Sequence, residues 1–194
     1  MHQPLELGGG VINLQHRIVL APLTRNRATE PDLCCHADHE EYYAQRASPG
    51  GLIITEATQI SPEGVCFVSV PGIWTEAQTE SWKRVVDAVH AKGGVIFMQL
   101  FHGGRVGHPS FGDHPLLKQD KLRRPGVSSS AVPATSLDSD KPLRVMTYEG
   151  RQVHATPRAM GLEEIPRLIE DYRHATRNCL RAGFDGVEVH AAHG

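Results

Sequence analysis

Four short apolar runs punctuate the sequence: Ile18 to Leu23, Leu52 to Ala57, Val95 to Phe101, and the β-branched pair Val187 and Val189. Runs of this length, bounded by Gly, Pro and polar clusters, read as strands covered on both faces, the habit of parallel sheets. Segments with helical spacing lie between them, and that alternation excludes most other architectures. Strand and helix in regular turn imply a parallel sheet with right-handed crossovers, either doubly wound or closed into a barrel.

The intervening segments support this order. Leu5 to Asn13, with Gly8-Gly9-Gly10 at its centre, predicts a small hairpin ahead of the first strand. The triple glycine lacks the preceding strand and following helix that a phosphate loop needs, so a turn is expected. Asp38 to Ala47 predicts a short helix stopped by Ser48-Pro49-Gly50-Gly51. Thr75 and Gln78 have the spacing of a capping box, Trp82, Val85, Val86 and Val89 share one helical face, and Gly93-Gly94 ends that helix. From Val106 to Gly161 prolines and glycines are scattered among polar residues, and the expectation is an elaborated loop after the third strand within one domain spanning 1–194. Leu162 to Ala182 predicts the longest helix, with Ile165, Leu168, Ile169, Tyr172, Ala175, Cys179 and Leu180 on its apolar face and Gly183 as its stop.

Several function classes drop out on composition. With 20 Lys and Arg against 22 Asp and Glu, no basic field invites nucleic acid or an anionic membrane. No apolar run nears the roughly 18 residues of a membrane span, and the polar opening MHQPLELGGG lacks a secretory layout. The four cysteines show no CxxC spacing or disulfide framework, which favours a reducing, cytoplasmic setting.

Each run ends in distinctive groups: Pro22 and Thr24, Glu56 and Ala57, Gln99 and His102, His190 and His193. Barrels carry their chemistry at the C-terminal ends of strands, whereas a dinucleotide fold would want G-x-G-x-x-G where this chain has PLTRNRA. The expected fold is therefore an α/β chain of the TIM (β/α)8 barrel type. A complete barrel needs about 250 residues, so four strands amount to about its first four β/α units. Gln99 inside VIFMQLF is an amide that must find partners, either a ligand or a neighbouring strand. His190 and His193 invite a substrate role or metal ligation; one core histidine and one helix-capping histidine is the plainer alternative.

The segments APLTRNRA (21–28), GLIITEATQISPEG (51–64), PGIWTEAQTESWKRVVDAVHAKGG (71–94), MQLFHGGR (98–105) and GFDGVEVHAAHG (183–194) resemble the Old Yellow Enzyme family of NADH:flavin oxidoreductases. The resemblance is nearest to its 12-oxophytodienoate reductase-like and N-ethylmaleimide reductase-like members and covers the N-terminal half of the family's barrel. It implies an FMN flavoprotein, an ene-reductase that takes electrons from NADPH or NADH and reduces the C=C bond of an α,β-unsaturated carbonyl or nitro compound. By that match Pro22 and Thr24 contact the flavin, Ala57 lets the backbone approach its ring, Gln99 pairs with its pyrimidine edge, and His190 and His193 grip the substrate oxygen. Phe101 stands where many members carry Trp. Arg25, Arg27, His102 and Arg105 are expected to anchor loops. The family's proton-donating tyrosine and FMN phosphate site would lie beyond Gly194, which raises the alternative of a non-catalytic half-barrel that self-associates through its open edge.

Overall fold

The computed structural model describes residues 3–118, 126–136 and 143–192. Strands β1 (Leu5–Leu7) and β2 (Ile12–Leu14) form the expected antiparallel hairpin, turned by a 3-10 segment over the three glycines, all at positive φ. β3 (Val19–Leu20) follows, then helix α1 (Ala37–Ala44), β4 (Leu52–Gln59), α2 (Glu76–His90) and β5 (Val95–Phe101). Next come β6 (Val127–Ser128), the antiparallel pair β7 (Arg144–Thr147) and β8 (Gly150–Val153), and β9 (Arg158–Ala159), which lies parallel to β6. Helix α3 (Ile165–Ala182) leads to the last strand, β10 (Gly186–Val189).

The principal sheet is parallel, with spatial order β10-β5-β4-β3. Its strands follow one another in space as they do in sequence, without the reversal that marks a doubly wound sheet. Helices α1, α2 and α3 cover one face. There Trp82, Val85, Val86 and Val89 of α2 meet Ile53, Ile96, Met98 and Leu100 of the strands and Ala175, Cys179 and Ala182 of α3. The Thr75 hydroxyl accepts from Gln78 N–H at 3.2 Å and Gln78 Oε1 accepts from Thr75 N–H at 3.1 Å, so the predicted capping box forms. Asp185 ties β10 to β5, since its Oδ2 accepts from Ile96 N–H at 2.8 Å.

Three local expectations change. The first strand was expected over Ile18 to Leu23, but only Val19 and Leu20 pair, because Pro22 has no N–H to donate and the strand is an edge. The second runs two residues past Ala57, to Gln59. On α3 the buried face is Ala175, Asn178, Cys179 and Ala182, flanked by Leu168 and Tyr172, whereas Ile165 (41% exposed), Ile169 (46%) and Leu180 (64%) face outward. Arg181 bonds to Glu76 and Asn178 Nδ2 donates to Ile73 O, so α3 turns its polar flank to the start of α2 and the second apolar flank away from it.

Within 106–161 the described residues build a cover, and Phe111, Leu117 and Val145 from it form a small core with Val65 from the loop after β4. Glu30 fastens that cover to the loop after β3: its Oε1 accepts from the Tyr148 hydroxyl at 2.7 Å and its Oε2 lies 2.6 Å from His114 Nε2. No described helix is long and apolar enough to cross a membrane.

Candidate active site

An irregularity in β4 sets the geometry of the site. Up to Ile54, opposite Phe97, the β4 and β5 ladder is regular; it resumes with Ala57 opposite Gln99, so Thr55 and Glu56 together face the single residue Met98. Such a bulge shifts the alternation of side chains by one. Glu56 consequently turns toward α1, while Ala57 turns to the face opposite the helices, beside Gln99.

Three of the backbone groups at the bulge find side-chain partners. Gln99 N–H donates to Thr55 Oγ1 at 3.1 Å, and Glu56 N–H donates to the Tyr43 hydroxyl at 2.9 Å. The Glu56 carbonyl accepts from the hydroxyls of Thr55 and Thr58, both at 3.0 Å. These bonds replace ladder bonds that the bulge breaks and so support it.

Beyond the bulge, a cavity of about 370 Å³ opens at the C-terminal ends of the strands. Pro22 and Thr24 line it from beyond β3, Ala57 from β4, Gln99 from β5, and His190 from the end of β10. Phe101, Phe67 and Val106 supply its apolar wall. Five of the six residues singled out in the sequence are thus brought together around one cavity; His193 lies outside the described residues. Phe101, where many members of the resembled family carry Trp, is both core and pocket wall: it is 4% exposed and lines the cavity. His102, Arg25, Arg27 and Arg105 do not line it. Arg105 Nη1 donates to Val132 O at 3.3 Å, and the Arg25 guanidinium lies 4.8 Å from the centre of the Tyr42 ring.

Gln99 and His190 are held by specific contacts. Gln99 Nε2 donates to Glu188 Oε1 at 2.7 Å, a cross-strand bond between directly opposed residues of β5 and β10. A primary amide carries two N–H donors and a carbonyl acceptor, so this contact orients the group without exhausting its capacity. The His190 ring stands edge-on to Phe101, with centroids 4.5 Å apart. His190 Nδ1 accepts from Ala192 N–H at 3.3 Å, which puts the proton of the neutral ring on Nε2. Among the described residues no group of three or more His, Cys, Asp and Glu is placed to hold a metal ion.

The sequence reading noted Glu56 at the end of its run but gave it no role. Its carboxyl is buried, 1% exposed, between β4 and α1, and burial pushes its pKa up to about 7. Oε2 accepts from Arg25 N–H at 3.0 Å and Oε1 from the Tyr43 hydroxyl at 3.3 Å. His39 Nε2 is 3.8 Å from Oε1, too long for a hydrogen bond, and burial lowers the His39 pKa to about 4. The pair is accordingly a neutral imidazole beside a carboxyl, not an ion pair. A charged residue inside an otherwise apolar strand was the available signal.

A profile of the NADH:flavin oxidoreductase / NADH oxidase family matches residues 1–194. Among curated relatives, 12-oxophytodienoate reductase 7 of Oryza sativa subsp. japonica is 43% identical over 190 residues, covering 93% of this chain and 42% of that protein. For 12-oxophytodienoate reductase 2 of Arabidopsis thaliana the figures are 41% over 191 residues, 95% and 45%. The chain therefore spans less than half the length of either. Among solved structures, morphinone reductase superposes with a TM-score of 0.81 at 44% identity, over 98% of this chain and 47% of that one. An old yellow enzyme homologue from Zymomonas mobilis gives 0.83 at 43%, over 98% and 48%. The fold is that of these enzymes' TIM barrel, of which the chain spans about half. The superposition and the profile match along its whole length agree, and the chain belongs to the NADH:flavin oxidoreductase / NADH oxidase family.

Proposed function

We propose that the cavity is the ring-binding part of an FMN site and that the chain carries the N-terminal half of an ene-reductase, using NADPH or NADH to reduce an α,β-unsaturated carbonyl or nitro compound. The observation that carries this reading is the convergence of Thr24, Ala57, Gln99 and His190, from four successive strands, on one apolar-walled cavity. Its volume is in the range of small-molecule sites, with few polar groups in an apolar lining. These residues fit a flavin ring: Ala57 offers no bulk, Thr24 and Gln99 supply the donors and acceptors a pyrimidine edge needs, and Pro22 and Phe101 give flat apolar surface.

Bound there, FMN would deliver hydride to the β-carbon of the substrate. The protein's part is to bind and polarise. His190 Nε2–H is the donor for the substrate oxygen on which negative charge develops, with His193 proposed as its companion, and one well-placed donor of this kind lowers the barrier by about 3 kcal/mol. Phe101 and the Ala192 N–H fix the imidazole, so little reorientation is needed when charge forms. Glu188 orients the Gln99 amide in the same way. The unpaired cysteines fit a cytoplasmic enzyme.

A second reading has an observation of its own. Val19 on β3 and Val189 on β10, the two outer strands of the sheet, are 41% and 58% exposed, which favours a half-barrel that associates with a second copy. Titration of the 194-residue chain with FMN, followed by flavin fluorescence and visible absorption, tests the first reading. Saturation near one FMN per chain, followed by enone reduction, supports it; a folded chain that leaves flavin fluorescence unchanged refutes it.

A further inference from the structure

The loop after β3 carries Thr24 but has no ladder of its own. Pairing stops at Leu20, and residues 23–27 are exposed. Even so its main chain is fastened inward at Arg25, whose N–H donates at 3.0 Å to a carboxylate oxygen of Glu56. That carboxyl sits on the bulge that also turns Ala57 into the cavity, one residue away. The Tyr43 hydroxyl locks it from the helix side, accepting from Glu56 N–H and donating to Oε1.

We propose that Glu56 is a positioning residue: its carboxylate couples the β4 bulge to the loop after β3 and so sets the distance between Thr24 and Ala57 across the cavity, an inference that rests on reading the cavity as the flavin site. A buried carboxyl is an expensive way to hold two elements together, and an apolar side chain would pack at lower cost. What an apolar side chain cannot do is accept from Arg25 N–H and the Tyr43 hydroxyl, and of these two bonds only the first reaches the loop after β3. The titratable and charged groups around it are Arg25 from the loop, Tyr43 and His39 from α1, and Cys35 just before α1. Of these, Tyr43 has its pKa raised well above the usual value by burial, so the phenol keeps the proton it donates.

The test uses the 194-residue chain with Glu56→Leu and Glu56→Gln. Amide hydrogen exchange at Arg25 is read without flavin, with the amides of Val85 and Val86 in α2 as a folding control, and FMN affinity is read by fluorescence. Loss of a hydrogen bond to a charged acceptor corresponds to about a tenfold loss of protection or more at Arg25 in Glu56→Leu, with α2 unchanged. FMN binding should weaken by a similar factor. Glu56→Gln, which keeps an acceptor oxygen, should restore both. If Glu56→Leu unfolds α2, the decision passes to pH: wild-type protection at Arg25, normalised to α2, should rise as the carboxyl ionises from about pH 5 to about pH 8, and the Gln variant should be flat. Unchanged exchange at Arg25 in the Leu variant, the same pH profile in wild type and Gln, or a freed Arg25 with undiminished FMN affinity would overturn the proposal. A wild-type chain that binds no FMN sinks the flavin reading instead, and the exchange data still decide whether Glu56 holds Arg25.

Discussion

Ala57 has 7% of its surface exposed and lines the cavity between Thr24 and Gln99, so added side-chain volume there has only the cavity to enter. Ala57→Leu should abolish FMN binding in the fluorescence titration while shifting the thermal midpoint little, because the cavity's open side takes up the added carbons. A Leu variant that binds flavin as wild type does would mean the ring sits elsewhere. His190→Ala makes a different prediction, since on the proposed function the imidazole donates to substrate and lies outside the flavin cradle. In the flavin-loaded chain enone turnover should fall about 100-fold or more while FMN affinity stays close to wild type, in line with loss of one oxyanion donor. Equal losses in both would assign His190 to cofactor binding. The cavity residues were legible in the sequence as polar or small groups ending apolar runs. Glu56 was not legible as a support, because only the bulge decides whether it faces helix or cavity.

At the scale of elements, the contact between α1 and β4 holds two buried groups that titrate in opposite senses. Glu56 has its pKa raised from 4.5 to about 7, by burial first. The folded state therefore binds the proton more tightly than the unfolded one, and the associated stability is full below about pH 4.5 and lost as pH rises through 7. His39 has its pKa lowered from 6.5 to about 4, by burial and then by His36, with Asp38 opposing and Arg27 adding slightly. Its contribution is full above about pH 6.5 and lost as pH falls through 4. Each shift corresponds to roughly 3 kcal/mol, so between about pH 4.5 and 6.5 the two slopes largely cancel. Glu56→Gln should unmask the histidine, giving stability that climbs with pH across that window; His39→Gln should leave the carboxyl, giving stability that declines. Urea midpoints at half-unit pH steps would show both. Parallel slopes in the two variants would mean that neither group governs this window.

The same scale shows where periodicity informs and where it misleads. On α2 the capping box and the valine stripe told the truth, since one amphipathic face has one sheet to meet. On α3 the apolar residues occupy two adjacent stripes. Helical spacing cannot tell which stripe the sheet will take, and Ala175, Asn178, Cys179 and Ala182 won because small side chains let the helix approach β5 and β10 closely. A bulge such as that at Thr55 and Glu56 leaves no mark in a run reading LIITEAT.

For the whole molecule, part of the exposed apolar surface lies along one side of α3 and on the two outer strands of the sheet, and another part on and beside the β7–β8 hairpin, at Leu143, Met146, Tyr148 and Val153. Leu162 (82% exposed), in the 3-10 turn just before α3, continues the stripe that Ile165, Ile169 and Leu180 form on the flank of α3 turned away from α2. Val189 on β10 and Val19 on β3 add the outer strands, whose outward N–H and C=O groups have no ladder partner among the described residues. Four parallel strands in sequential order, in a chain that matches about half of an enzyme of this fold, have the count for two copies to supply the eight strands of a closed barrel, β10 of each meeting β3 of the other. The prediction is that the 194-residue chain self-associates, with a weight-average mass in sedimentation equilibrium that rises with concentration toward twice 21.3 kDa. Ile169→Glu and Leu180→Glu sit on exposed surface, so they should leave the folded monomer intact and shift that curve toward the monomer, and each should lower the tendency to aggregate. Association that persists undiminished in both variants would place the contact at the strand edges alone, which Val189→Lys would then weaken. A wild-type chain that sediments as a monomer at every concentration would refute pairing altogether, and the exposed stripe would then be surface that this chain tolerates in water.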